Sequence, residues 1–322
     1  MDEQADGAYC EKSDSALQEV LDWFTVQRSS EGRFRESLRT AVDEVLDGKR
    51  TGRFSISSLR KTEKTYLGTK VEIILQDEFE IPQGPKKGMD YLICGHEVDC
   101  KFTSQTTWEI PTEAINQLCL LVRVSEKGEY FSAGLLRARS EFLTGSSNKD
   151  GKRSVSAAGK KRIQWVHELS SFPKSLLLSL PAPQIRQIFK EGASGQERLN
   201  CLLRLVQNRI IDGESIDTVT QQRDGMARLR EGKGRSRTVL RAQGILIAGH
   251  WKAHQKVLAQ LEVPIPRMPR TGEAVAFRVV EAAEHHGNRP RVTLDAKEWV
   301  LADDSDLPQP GPQLPHRSSD SS

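Results

Sequence analysis

The stretch Asp90-Tyr91-Leu92-Ile93-Cys94-Gly95-His96-Glu97-Val98-Asp99-Cys100-Lys101 decides the reading of this chain. Two short runs of β-type residues, 91–94 and 97–102, flank Gly95-His96, and a glycine in the first position suits a two-residue hairpin turn. Folded there, Ile93 faces Val98, Leu92 faces Asp99 and Asp90 faces Lys101. Residues opposite one another, or two apart on one strand, share a face. Asp90, Asp99 and Lys101 therefore fall on one side, while Tyr91, Ile93, Val98 and Cys100 form an apolar side fit for a core.

Around this stretch the chain has 322 residues, enough for two ordinary domains, with 37% hydrophobic and 28% charged residues. No apolar run approaches a membrane span, and the acidic start lacks the basic-then-apolar pattern of a signal peptide. The five cysteines (Cys10, Cys94, Cys100, Cys119, Cys201) are odd in number and show no C-x-x-C spacing, so they read as reduced thiols of a cytoplasmic protein. A net charge of +3 does not announce nucleic-acid binding; the distribution of charge is more informative.

Taken in order, residues 1–13 read as disordered and 14–166 as a first domain. Leu17, Val20, Leu21 and Phe24 form one helical stripe, and a second helix spans about 35–46 and closes at Asp47-Gly48. Another helical pattern covers 59–79, bent near Gly68, with Val71, Ile74, Leu75 and Phe79 inward and Glu72 at the edge of that face. A helix is expected near 111–118. The run 118–124 has the continuous apolar character of a buried strand, and 130–138 offers another. The layout is α/β with a mixed sheet.

The segment 144–162 carries Lys149, Lys152, Arg153, Lys160, Lys161 and Arg162 against Asp150 alone, which fits a solvated loop or a phosphate-contacting surface. Residues 167–175 read as a linker. From 176 to 302 follow helices at about 183–190 and 196–210, then Ser215 as an N-cap. A short helix near 236–241 and a strand or wing at 244–249 come next. Arg223, Arg228, Arg230, Lys233, Arg235, Arg237 and Arg241 stand against Asp224 and Glu231. Helices, a basic turn-and-helix and a strand make a winged helix-turn-helix pattern, with Arg228, Arg235, Arg237 and Arg241 as candidate DNA contacts beside Lys149, Lys152 and Arg153. Further strands are expected at 275–280 and 291–294. His250 and His254 read as surface residues, His285-His286 lie in a polar loop with no partner signal, and 303–322 read as a disordered tail.

Phosphodiester cleavage needs an activated water, a neutralised non-bridging oxygen and a stabilised leaving oxygen. Mg²⁺ prefers carboxylate oxygens and keeps several waters. Asp90 and Asp99 can hold such an ion, with the main-chain carbonyl of Cys100 assisting; Lys101 sits where it meets phosphate charge or orients the water, and Glu72 can complete the acidic cluster. By itself the D-x-K spacing fits a solvated sheet face as well as a cation-and-phosphate site.

The residues also resemble a family. Lys61-Thr62-Glu63-Lys64-Thr65, Gly68-Thr69-Lys70-Val71-Glu72-Ile73 and Val98-Asp99-Cys100-Lys101-Phe102, with Asp90 between, resemble the NaeI family of type II restriction endonucleases. The likeness continues through 118–122, 133–135, 240–245 and 263–267. It implies a PD-(D/E)xK nuclease domain with catalytic positions at Glu72, Asp90, Asp99 and Lys101, although Met89 stands where the motif's proline would be. It also implies Mg²⁺-dependent, double-strand cleavage by a homodimer, at a palindrome expected to be GCCGGC. The C-terminal domain would resemble the DNA-binding domain of the catabolite activator protein and bind an activating second DNA copy. A cognate DNA methyltransferase is the implied genetic partner. Two other readings remain open: a repair or junction-resolving nuclease on the same scaffold, and a non-enzymatic helix-turn-helix transcriptional regulator.

Overall fold

The computed structural model describes residues 14–85, 89–145, 151–222 and 224–315. Lys149, Asp150, Arg223 and the segments 1–13 and 316–322 lie outside the described residues, so the expectations about them stay untested. The chain divides into two compact units, 1–45 with 59–173, and 46–58 with 174–322. No helix among the described residues is long and apolar enough to cross a membrane.

In the first unit, α1 (Ser15–Thr25) begins where Asp14 accepts the Leu17 N–H, and it buries Leu17, Val20 and Phe24. Helix α2 (Ser30–Leu46) starts five residues earlier than expected. It ends at Asp47, whose left-handed φ of 45° turns the chain into the single-turn α3 (Gly48–Thr51) of the second unit. Helix α4 (Lys61–Glu78) is one uninterrupted helix; the bend expected near Gly68 is absent, because the buried Leu67, Val71 and Leu75 hold both halves to one face.

The sheet runs β1 (Tyr91–Ile93), β2 (His96–Thr103), β4 (Leu118–Ser125), β5 (Tyr130–Arg137) and β7 (Gln164–Ser171) in that spatial order. β2 and β4 are parallel and the other pairs antiparallel, which makes the sheet mixed. Short strands β3 (Glu109–Ile110) and β6 (Arg153–Ser154) pair beside it, and α5 (Ala157–Lys160) precedes β7. The helix expected near 111–118 is only a 3₁₀ turn, Thr112–Ala114, since Asn116 takes a positive φ of 66° and β4 begins at Leu118. Residues 167–171, expected in a linker, belong to β7. One face of the sheet carries the aromatic cluster Phe24, Phe34, Phe79 and Phe131. The other covers Trp108, Ile110, Cys119, Leu121 and Leu136.

The second unit contains α6 (Ala182–Ile188), α7 (Gly195–Leu205), β8 (Ile210–Ile211), α8 (Gly213–Thr220), α9 (Ser236–Arg241) and β9 (Ile245–Ala248). After these come α10 (Lys252–Gln260), β10 (Ala274–Glu281), β11 (Arg291–Leu294) and β12 (Lys297–Leu301). Helix α7 stops at Leu205, so Ile210 lies in β8 and not on the helix. The cap of α8 is Asp212, which takes the Ser215 N–H at 2.7 Å, not Ser215 itself. β10 is shared: its first half pairs antiparallel with β8 and β9, its last residues with β12.

Two expectations about the histidines fail on burial. His254 is 2% exposed; its Nδ1 accepts the Gly249 N–H and its Nε2 faces the Pro315 carbonyl at 3.1 Å. His286 is 5% exposed, and its Nδ1 accepts the Ala283 N–H, so Nε2 carries the proton toward Asp306 Oδ1 at 3.0 Å. The tail is likewise packed as far as 315: the Gly311 N–H donates to the Arg241 carbonyl, and Leu314 is buried among Leu246, Phe277 and Trp299. Low complexity did not prevent order here, because backbone groups and one leucine found partners.

Candidate active site

The hairpin forms one residue earlier than expected. Tyr91 pairs with Val98, Leu92 with Glu97 and Ile93 with His96, so the turn is Cys94-Gly95. Both take positive φ, 51° and 80°, as a type I′ turn requires. Moving the turn by one residue changes the sum of paired numbers by two, which preserves the faces; a change of one would have reversed them. Tyr91, Ile93, Val98 and Cys100 are accordingly buried on the side that packs under α4. Asp90, Asp99 and Lys101 share the other side, and the observed register, continued, sets Asp90 opposite Asp99 instead of Lys101.

The ladder between β1 and β2 ends at Tyr91 and Val98, leaving the Cys100 N–H without a strand partner. The Asp90 carboxylate takes that N–H at 2.7 Å, and this fixes its position at the sheet edge. Lys101 Nζ donates to Asp99 Oδ1 at 2.8 Å and to the Cys100 carbonyl at 3.2 Å, and lies 4.0 Å from Asp90 Oδ2. One ammonium thus bonds two of the four groups suggested for a cation, Asp99 and the Cys100 carbonyl, and lies within ion-pair range of a third, Asp90. Glu72 arrives from α4: the Tyr91 hydroxyl donates to its main-chain carbonyl at 2.8 Å, pinning this turn of the helix against the hairpin.

Burial and neighbouring charge shift Asp99, Glu72 and Lys101. Burial raises the Asp99 carboxyl, Asp90 adds to the rise, and Lys101 opposes it. Burial and then Asp90 raise Glu72. For Lys101 burial pulls downward, but the charge and hydrogen bond of Asp99, with Asp90 beyond, outweigh it and keep the ammonium protonated. Cys100 and Cys119 are buried thiols raised by desolvation, which suits packing and not nucleophilic attack.

The fit to a divalent cation rests on Asp99. Its side chain is 2% exposed, no N–H or hydroxyl among the described residues donates to its buried Oδ2, and the neighbouring Asp90 raises its carboxyl. A carboxylate oxygen left unmet in a dry site carries a large desolvation cost, and a hard cation satisfies it. The residues present therefore suit Mg²⁺, with Asp90, Asp99, the Cys100 carbonyl and Glu72 as the available oxygens.

Glu72, Cys100 and Lys101 line one cleft of about 690 Å³ together with Lys61, Lys64 and Lys152. Lys152 was expected to meet DNA from its sequence setting. Arg153 was too, but its guanidinium donates to the carbonyls of Ser140, Leu143 and Thr144 and serves to close that loop. Lys61 and Lys64 were missed. The signal was available in their spacing, since 61, 64, 65, 68 and 72 follow one helical face.

In the second unit the expected contacts separate. Arg235 is exposed. Arg228 is half-buried and donates to Gln222. Arg237 donates to the Ile247 carbonyl and lies over the Trp251 ring, and burial holds its pKa below the usual value. Arg241 is half-buried, and its carbonyl is taken by Gly311. Arg230 and Lys233 are exposed on the same turn. His285, His286 and Asp306 bring ligand atoms within 4.8 Å of one another. Asp306, however, already receives the Asp303 N–H, His286 and Arg289, so the fold itself satisfies that carboxylate.

The family model described as restriction endonuclease NaeI matches residues 26–310. The type II restriction enzyme NaeI of Lentzea aerocolonigenes is 38% identical over 291 residues, which cover 88% of this chain and 89% of that protein. Such coverage spans both compact units, and the chain belongs to the NaeI family of restriction endonucleases.

Proposed function

We propose that this protein is a Mg²⁺-dependent type II restriction endonuclease that cuts double-stranded DNA at a specific palindrome. The observation that carries the reading is that Glu72 and Lys101 line a cleft with Lys61, Lys64 and Lys152, while Asp99 and Asp90 lie behind them against the Lys101 ammonium. Mg²⁺, when bound, supplies charge for a non-bridging phosphate oxygen and acidifies a water. Asp90 and Asp99 would hold the ion, Glu72 would add a third carboxylate, and Lys101 offers a protonated ammonium to phosphate charge. This set of roles corresponds to a PD-(D/E)xK nuclease centre.

The second unit supports a winged-helix reading through its element order. Helix α7, strand β8, helices α8 and α9 and strands β9 and β10 follow one another, with β10 between β8 and β9 in an antiparallel sheet. On that reading α9 and the exposed Arg230, Lys233 and Arg235 face a second DNA copy that activates cleavage. One such centre cuts one strand, so a palindrome calls for a two-fold homodimer. The expected site is GCCGGC, protected in the host by a methyltransferase. A repair or junction-resolving nuclease would act on branched or damaged DNA instead, and a regulator would have no use for an unmet buried carboxylate.

Digestion of plasmid DNA with Mg²⁺, followed by sequencing of the ends, tests the proposal. One repeated sequence at every end is expected, together with faster cutting of a single-site plasmid when a short cognate duplex is added. Random ends, preference for branched DNA, or intact plasmid with every divalent cation would contradict it.

A further inference from the structure

Helix α4 contains a glycine that its own packing does not explain. Gly68 sits in the middle of an 18-residue helix, where alanine is favoured over glycine and where no bend occurs. A Cβ built on it would meet one atom, Phe102 Cβ at 4.0 Å, an ordinary contact. Its neighbours Leu67 and Val71 are each 1% exposed and fix the helix to the core, so Gly68 is not needed for close approach of the helix to the sheet. Gly68 instead faces the cleft, one turn before Glu72, and lines it with Lys61, Lys64 and Thr65.

The lysines of α4 divide by face. Lys70, away from the cleft, is paired with Glu44. Lys61 and Lys64 are exposed and have no ion pair among the described residues. From Lys61 to Glu72 the helix rises roughly 16 Å, a length that accommodates a few phosphates of one strand. Two unpaired cations, a bare backbone position and the catalytic carboxylate therefore lie in series along one face.

We propose that this face of α4 is the backbone track for the strand being cut. Lys61 and Lys64 neutralise phosphates beside the scissile one, and Gly68 is a positioning residue whose missing side chain lets the sugar–phosphate chain close on the helix next to Glu72 and Lys101. The inference rests on the nuclease reading of the same site and adds how the substrate strand is seated there.

The test uses the full-length protein. Gly68→Ala should raise Tm by about 2 °C, as helix propensity dictates, while slowing single-turnover cleavage about 10-fold; Gly68→Val should slow it further. A structural role for Gly68 would instead lower Tm. Lys61→Gln and Lys64→Gln should each reduce the salt slope of log(kcat/KM) by ~0.9. If wild-type protein makes no specific cut, the nuclease reading falls and the track with it. If wild type cuts, and Gly68→Ala cuts equally fast with both lysine variants keeping the wild-type slope, the track alone is overturned.

Discussion

The acidic face of the hairpin and the basic segment of the second unit look alike as sequence, each a short run dense in charge, but the fold treats them differently. On the hairpin, strand alternation gathers Asp90, Asp99 and Lys101, and among the described residues no N–H or hydroxyl donates to Asp99 Oδ2. In the basic segment, Arg237 is held by the Ile247 carbonyl and the Trp251 ring, and Arg228 by Gln222, while Arg235 stays exposed with one long bond, 3.4 Å, to the Ala227 carbonyl. Charge that the fold uses supports stability. Charge that the fold leaves unmet, or free to move, is available for a ligand.

The largest expected effect breaks the comparison if it fails. Asp99→Asn should lower Mg²⁺-dependent cleavage by at least ~10³-fold while DNA binding in a filter or anisotropy assay is retained. Cleavage near the wild-type rate would mean that the unmet oxygen has no chemical use.

Arg237→Ala should destabilise the protein by about 2 kcal/mol in urea unfolding, because loss of the half-buried guanidinium leaves the Ile247 carbonyl and the Trp251 ring without their partner. Arg235→Gln should leave stability unchanged. Equal losses from the two would erase the distinction between consumed and available arginines.

Asp306 sharpens the same contrast from the acidic side. Burial would raise its carboxyl, but the Asp303 N–H, His286 and Arg289 outweigh burial and hold it well below the usual carboxylate range. A depressed carboxylate contributes stability that is complete above the unfolded value, about 3.9, and is lost as pH falls through the folded value. Asp306→Asn should therefore cost about 1 kcal/mol at neutral pH, and the difference from wild type should shrink below about pH 4. A Tm difference constant from pH 7 to pH 3 would contradict this.

The smallest effect concerns binding. Arg235→Gln should reduce the salt slope of effector-duplex binding by ~0.9, whereas Arg237→Gln, once corrected for any loss of folded protein, should leave it near the wild-type value.

Much of this was legible in the sequence where a period controls the outcome. Strand alternation assigned Asp90, Asp99 and Lys101 to one face, and that assignment survived a turn formed one residue earlier. The resemblance supplied Glu72, which no short-range spacing could join to a hairpin so far along the chain; the link is the Tyr91 hydroxyl on the Glu72 carbonyl. Buried polar partners were not legible. His254 looked like a surface residue and His286 like a loop residue without a partner, because their acceptors, Pro315 and Asp306, are distant in sequence or sit in a tail of low complexity. Gly68 looked like a bend because glycine disfavours helix, yet flanking leucine and valine burial overrode that preference. Lys61 and Lys64 were passed over because two lysines on a helix also fit a solvated face, and only the cleft distinguishes them.

The central claim, that Asp99 and Lys101 act as one centre and not as separate surface charges, is tested most directly by a double-variant cycle. Single-turnover cleavage of a cognate duplex in saturating Mg²⁺ is measured for wild type, Asp99→Asn, Lys101→Met and the combined variant. The combined loss should be close to that of the more damaging single change, as expected for groups that work as a unit. A combined loss equal to the product of the two single losses, or cleavage that survives both substitutions, would contradict it.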